Sequence, residues 1–115
     1  MKTINVLGTE YELLLKDEAD DPAFVQCGGY RDAFAKRIVI ADFKPDGSPM
    51  ETKNLQAVVN QNIRHEIVHA FLYESGLHAN AIHFNGEWSD NEEMVDWFAI
   101  QGPKIYAAWK EAGAI

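Results

Sequence analysis

The residues with the clearest chemical potential are two histidines and a glutamate in the sequence His65-Glu66-Ile67-Val68-His69. Side chains four residues apart on a helix project from almost the same side, so both imidazoles can reach one metal ion. The pattern predicts a zinc site with the chemistry of a hydrolase. The ion polarises a scissile carbonyl and acidifies a water, and Glu66 acts on that water first as general base and then as general acid.

A catalytic zinc site needs a third protein ligand and leaves one position open for water. The metzincin class is excluded, because the positions where its motif requires Gly and His hold Leu72 and Ser75, three and six residues after His69. Two other residues are candidates for the third ligand. His83 is a candidate loop ligand, and Glu92 stands at the start of a second helix that could pack against the first. We favour Glu92, and we predict one Zn²⁺ ion per chain.

The motif at 65–69, followed by Asn91-Glu92 and then Asp96, resembles the gluzincin arrangement of thermolysin-type peptidases. In that family a helical Asn-Glu-x-x-x-Asp supplies the third zinc ligand and a carboxylate that supports a ligand histidine. The resemblance implies that Glu92 is the third ligand. It also implies that Asp96 accepts a hydrogen bond from an imidazole N–H, which fixes the tautomer and the orientation of that ring.

The small size and the order of elements resemble more closely the compact single-domain metallopeptidases of phages and mobile elements, which are related to the ImmA/IrrE-type group. The segment 69–77 looks like their active helix and its ending, and the preceding sheet, with Tyr30 and 37–40, has the same general order. The resemblance covers most of the chain, and the HExxH motif is its specific part. It implies a zincin-like fold and the hydrolysis of a polypeptide substrate. The stretch 78–89 is longer than the family pattern, which is a departure from it.

The downstream carboxylates also have structural interpretations. At the third position of a helix capped by Ser89, Glu92 can reach back to the backbone N–H of the cap residue instead of a metal. Glu93 or His83 would then be the third ligand. Asp96 could equally be a solvated helix residue.

No motif marks the group that would stabilise the oxyanion. His78 and His83 are loop candidates for this role or for that of an auxiliary ligand, and Tyr73 and Tyr106 carry hydroxyls that could donate a hydrogen bond. The main alternative for the whole chain is a non-catalytic, phage-type module of the same fold that binds a partner and keeps a structural or vestigial metal site. A catalytic site stays open and depends on Glu66, whereas a structural site is closed and does not.

The sheet that must support the motif is predicted from the first third of the chain. Apolar residues on both sides of Gly8-Thr9 predict a hairpin. The segments 24–27 and 37–41 read as two further strands of a small antiparallel or mixed sheet. If a strand such as 37–42 lies at the sheet edge beside the zinc, an extended peptide could pair with it.

The helices are predicted from apolar spacing and from capping residues. Apolar positions that repeat every four residues predict a long HExxH helix over about 49–75, which Gly76 ends. A Glu-bearing helix should begin after Ser89, and Gly102-Pro103 should break or kink it. A short C-terminal helix, ended by Gly113, would follow. We therefore expect a single α+β domain over 1–115, with the small N-terminal sheet packed on these helices.

Composition restricts the possible partners. The 115 residues are 47% hydrophobic and 24% charged, which is typical of one globular domain. Eighteen acidic side chains against ten basic ones give a charge of −8, the wrong sign for binding nucleic acid or an anionic membrane. No segment approaches the roughly 18 apolar residues of a membrane span. One cysteine, Cys27, fits a reducing compartment, so we expect a cytoplasmic protein.

Overall fold

The computed structural model describes residues 2–44, 54–77 and 92–115, apart from the side chains of Glu92 and Val95. This part of the chain is α+β, as predicted, with one four-stranded mixed sheet and two helices. The strands are β1 (Lys2–Val6), β2 (Thr9–Lys16), β3 (Gly29–Asp32) and β4 (Arg37–Ala41), and the helices are α1 (Leu55–Glu74) and α2 (Glu92–Glu111).

The strands lie in the order β1-β2-β4-β3. β1 and β2 form the predicted antiparallel hairpin, and their two-residue turn, Leu7 and Gly8, has φ values of 52° and 89°. Turns with two positive φ values match the twist of the flanking strands, and Gly8 adopts this conformation without steric cost. β4 runs parallel to β2 and antiparallel to β3. The sheet is therefore mixed.

The prediction of a strand at 24–27 is wrong. The segment Pro22–Val25 is a 3₁₀ helix, because the Asp21 carboxylate accepts a hydrogen bond from the backbone N–H of Ala23 at 3.0 Å and Pro22 occupies the first helical position. The third strand is instead β3, which begins just after this turn and pairs with β4.

The expectation that a strand such as 37–42 forms the sheet edge is also wrong, because β4 is paired on both sides. Its residues from Ile38 to Ala41 are all buried. Ile38 and Ile40 enter the main core with the helices, whereas Val39 and Ala41 pack with Phe24 on the other face. An unbroken apolar run is typical of a strand covered on both faces.

Helix α1 carries the HExxH motif. It begins at Leu55, where the Asn54 side chain accepts a hydrogen bond from the backbone N–H of Ala57 at 3.1 Å, and it ends before Gly76, whose φ is +83°. The prediction of a continuous helix from about 49–52 is wrong at its start, because Asn54 is not helical and caps α1; residues 49–52 themselves lie outside the described residues. The helix packs on the sheet through Val59, Ile63, Ile67, Ala70 and Phe71.

Helix α2 is continuous through Gly102-Pro103, so the predicted break and the separate C-terminal helix are wrong. Proline removes the hydrogen bond to the carbonyl four residues earlier, that of Ala99. Both Pro103 and Ala99 are exposed, so water can bond that carbonyl in place of the missing N–H. Gly113, with φ +71°, follows the helix end as predicted. Neither α1 nor α2 is long and apolar enough to cross a membrane.

Candidate metal centre

The two histidines of the motif converge on the exposed side of α1. Their Nε2 atoms lie 3.1 Å apart, and their ring centroids are separated by 4.7 Å. Two imidazole ligands of a tetrahedral zinc ion, each with a Zn–N bond near 2.0–2.1 Å, have their nitrogens roughly 3.3 Å apart. His65 and His69 are therefore already close to the separation that one zinc ion requires. The same distance also fits a hydrogen bond between two neutral rings, one donating and one accepting.

Glu66 occupies the adjacent, buried side of the helix. It is 8% exposed, and it is the only charged or polar residue classed as buried in the described ranges. Its Oε2 lies 3.9 Å from His65 Nε2. A carboxylate removed from water is costly unless a proton or a cation compensates it. A metal ion beside the two histidines would supply that compensation.

The third ligand is not found among the described side chains. No group of three His, Cys, Asp or Glu side chains in residues 2–44, 54–77 and 92–115 could hold a metal ion. The backbone of Glu92 opens α2, but its side chain is not described, and His78 and His83 lie in the segment 78–91, outside the described residues. The preference for Glu92 over His83 stays a prediction.

Two further carboxylates of this region lie near the C-terminal end of α1. Glu93 and Asp96 line a shallow groove with Ser75 and Leu77, beyond the end of α1. Trp97 ties the two helices together there, because its Nε1 donates a hydrogen bond to Ser75 Oγ at 2.9 Å. The proposed contact of Asp96 with a ligand histidine stays a prediction from the resemblance.

The two tyrosine candidates have different surroundings. Tyr73 follows His69 by one helical turn, and its ring lies under the Arg31 guanidinium, 4.8 Å from centroid to Cζ. Tyr106 is 54% exposed on α2, with Lys110 Nζ 5.8 Å from its ring. Tyr73 is therefore on the same helix as the histidine pair, one turn away, whereas Tyr106 lies on the other helix.

The sheet edge beside the motif is β3, whose only neighbouring strand in the described part of the chain is β4. A Cβ atom at Gly29 would lie 2.6 Å from Ile40 Cδ1 and 3.4 Å from Glu66 Cγ. A Cβ at Gly28 would collide with the side-chain amide of Asn62. The two glycines thus allow the edge strand to pass directly against α1 at Glu66. The pair Gly28-Gly29 is the sequence signal of this close approach, and its role in bringing β3 against α1 was not predicted.

A hydrogen-bonded cluster holds the end of α1 on the sheet. Glu74 Oε1 accepts hydrogen bonds from Tyr11 Oη at 2.7 Å and from Lys36 Nζ at 2.6 Å. Tyr11 belongs to β2, and Lys36 lies in the turn between β3 and β4. Burial and the hydrogen bond to Glu74 raise the pKa of Tyr11, so its hydroxyl remains a donor. Glu74 therefore fixes the orientation of the motif helix relative to both halves of the sheet.

We expect Glu74 to stabilise the fold only where its carboxyl is ionised. Partial burial alone would raise the pKa of Glu74, but hydrogen bonds from Lys36 and Tyr11 outweigh burial and hold it below the usual 4.5. A carboxyl with a pKa lowered by folding stabilises the protein above its unfolded-state pKa, and this contribution is lost as the pH falls. Glu74→Gln should lower the free energy of unfolding by about 1.5–3 kcal/mol at neutral pH.

Urea unfolding of both proteins as a function of pH measures this effect. The difference between wild type and Glu74→Gln should be constant above about pH 5 and should shrink as the pH falls through the region below 4.5. If the difference in the free energy of unfolding does not change with pH, the charge of Glu74 does not contribute to the stability of the fold.

Comparison with known proteins does not assign the chain to a family. No protein-family model matches it, and neither the curated proteins nor the solved structures compared with it gave a match. The function of the chain is therefore inferred from the geometry of the motif and of the strand beside it.

Proposed function

We propose that this chain is a zinc-dependent metallopeptidase with a zincin-like fold, and that it acts on a polypeptide substrate in the cytoplasm. The observation that carries the proposal is the 3.1 Å approach of His65 Nε2 to His69 Nε2, with the buried carboxylate of Glu66 beside them. Two imidazoles and a carboxylate from Glu92 form a donor set that suits zinc.

The chemistry assigned to the chain's own residues is proton transfer. Zinc, when bound, polarises the scissile carbonyl and lowers the pKa of the attacking water. Glu66 takes a proton from the water as its oxygen forms a bond to the carbonyl carbon. The same carboxyl then returns the proton to the amide nitrogen as the C–N bond breaks, so the products are a carboxylic acid and an amine. The net reaction consumes one water and restores Glu66.

The edge strand β3 supports a peptide as the substrate. In the described part of the chain its outer edge has no strand partner, and Gly29 brings it against Glu66. An extended peptide can add to such an edge through main-chain hydrogen bonds. The pairing with an extended peptide that was predicted for the strand 37–42 is thus proposed for β3 instead.

A non-catalytic binding module is the second candidate. The observation that favours it is the same 3.1 Å distance, because a hydrogen bond between two neutral histidines explains it without any metal. The two candidates differ in zinc content and in their dependence on Glu66.

Zinc content per chain tests the metal site. The protein is purified without chelator or added metal, and zinc is measured by mass spectrometry for wild type, His65→Ala, Glu66→Gln and Glu92→Gln. We expect close to one zinc in wild type and in Glu66→Gln, and little in the other two, because His65 and Glu92 are proposed to be ligands together with His69, whereas Glu66 is not.

Glu93→Gln is the matched control for Glu92→Gln, since the two carboxylates are neighbours on α2. Loss of zinc in Glu93→Gln but not in Glu92→Gln would assign the third ligand to Glu93, and His83→Ala tests the remaining alternative in the same way. Absence of zinc from wild type, even after reconstitution, would overturn the peptidase proposal and favour the binding module.

A further inference from the structure

Asn62 lies on the same face of α1 as the HExxH motif. It precedes His65, Glu66 and His69 by three, four and seven residues. Positions with this spacing share one side of a helix, so Asn62 is one turn away from His65 and Glu66 on that side. The residue is partly buried, and it has no part in the proton transfer assigned to Glu66.

Two consecutive glycines bring the edge strand against this face of α1. A Cβ atom at Gly28 would collide with the Asn62 carboxamide, and one at Gly29 would lie 3.4 Å from Glu66 Cγ. The main chain therefore lies directly beside Asn62 and Glu66 at the point where β3 begins. A peptide that pairs with this end of β3 would pass both side chains.

The pairing of β3 with β4 shows which backbone groups remain for a peptide. The Gly28 carbonyl accepts a hydrogen bond from the Ala41 N–H at 3.0 Å, so it faces β4. Residues of an antiparallel pair alternate between bonding to the neighbouring strand and pointing away from it. Gly29, opposite Ile40, therefore directs its N–H and C=O to the outer edge. At Gly28 the outer edge lacks this carbonyl, and the carboxamide of Asn62 lies beside that position.

The Asn62 carboxamide is available to a ligand. In the part of the chain that the structure describes it makes no hydrogen bond, and neither its Nδ2 nor its Oδ1 is buried. Asn60, two residues earlier, differs in this respect, because its Oδ1 accepts a hydrogen bond from Gln56 Nε2 at 2.9 Å. A carboxamide has a carbonyl acceptor and N–H donors, as a peptide bond does. Asn62 can therefore bond to a main chain in place of a strand residue.

We propose that Asn62 is a substrate-binding residue, whose carboxamide forms hydrogen bonds with the main chain of a peptide next to the position that pairs with Gly29. The inference rests on the proposed peptidase function, in which the peptide lies on β3 beside Glu66. Oδ1 accepts the N–H of one substrate residue, and Nδ2 donates to a substrate carbonyl. Because both contacts are to the main chain, Asn62 aligns the substrate without selecting its side chains.

Methylation of single amide nitrogens in a zinc-anchored peptide tests this contact, because each methyl group removes one N–H donor. The probes are acetyl-tetraalanine with a C-terminal hydroxamate and tetraalanine amide with an N-terminal succinyl hydroxamate. The hydroxamate binds zinc at its open position and so fixes the register, and the two probes extend from it in opposite directions. Each probe is prepared with one alanine N-methylated at a time, and its affinity is measured by calorimetry at equal zinc loading.

We expect one methylated position to lower the affinity of wild type by about fivefold and that of Asn62→Ala not at all, because the variant no longer has the acceptor. Asn62→Asp keeps an acceptor and should retain the loss. Asn60→Ala is the matched control, since Asn60 lies on the same helix but lines a groove with Leu13 of β2. It should respond as wild type does at every position. Thermal unfolding of each variant establishes that it is folded.

The outcomes separate this inference from the proposed function. If the hydroxamates bind and every methylated position has the same effect in wild type and in Asn62→Ala, the inference is overturned although the metal site stands. If Asn62→Ala removes the effect at one position but zinc-loaded wild type hydrolyses no peptide, the peptidase function is overturned and a peptide-binding site remains. If neither hydroxamate binds to protein that contains zinc, the open position on the metal is overturned, and the inference with it.

Discussion

Replacing Glu66 by glutamine is expected to lower the rate of peptide hydrolysis by about a thousandfold while zinc remains bound, because general acid–base catalysis contributes roughly 10²–10⁴ in rate. The amide is nearly isosteric with the carboxylate but cannot accept the proton of the attacking water. Glu66 is also 8% exposed, so the substitution removes a buried charge. The zinc-free variant should therefore be at least as stable as the zinc-free wild type.

The measurement is the rate of peptide hydrolysis at equal zinc loading, with urea unfolding of both zinc-free proteins. Glu10→Gln, which removes an exposed carboxylate from β2, is the control and should keep the wild-type rate. A Glu66→Gln variant that hydrolyses peptides as fast as wild type would show that Glu66 is not the general base, even if His65 and His69 bind zinc.

Replacing Phe71 by alanine is expected to lower the free energy of unfolding by about 3–5 kcal/mol. Phe71 is fully buried on α1, in the core that joins this helix to the sheet and to α2. Deleting the ring removes apolar burial and leaves a cavity that the neighbours fill only in part. Since domains of this size have total stabilities of about 5–15 kcal/mol, the loss would bring the protein close to its unfolding threshold.

Urea unfolding monitored by circular dichroism gives this difference directly. Phe34→Ala is the matched control, because Phe34 is 94% exposed in the turn between β3 and β4 and should change stability by no more than about 0.5 kcal/mol. A Phe71→Ala variant as stable as Phe34→Ala would mean that α1 is not held on the sheet by this core.

The local elements of the fold were the most predictable. Gly8 marked the first hairpin, Gly76 the end of α1 and Gly113 the end of α2, because a positive φ is a requirement of the residue's own position. The start of the 3₁₀ helix at Pro22 also has a local sequence signal, a capping aspartate before a proline, although a strand was predicted there. The apolar run 38–41 was interpreted as a strand, but its burial on both faces was not anticipated.

The continuity of α2 was unpredictable for a different reason. The penalty of Pro103 depends on whether the carbonyl of Ala99 can find another partner. That depends on which face of the helix is exposed, and the packing of α2 on α1 and β1 decides it. The sequence pattern of Gly102-Pro103 is the same in a broken helix and in a continuous one.

The pairing of His65 with His69 and the position of Glu66 beside them could be read from the motif alone, since helix geometry sets the direction of side chains four residues apart. Three features depended instead on how the chain packs: β3, not β4, forms the edge beside the motif, Gly29 lies against Glu66, and Arg31 stacks on Tyr73. Strand order depends on pairing between distant segments, whereas the spacing within one helical turn depends only on the backbone.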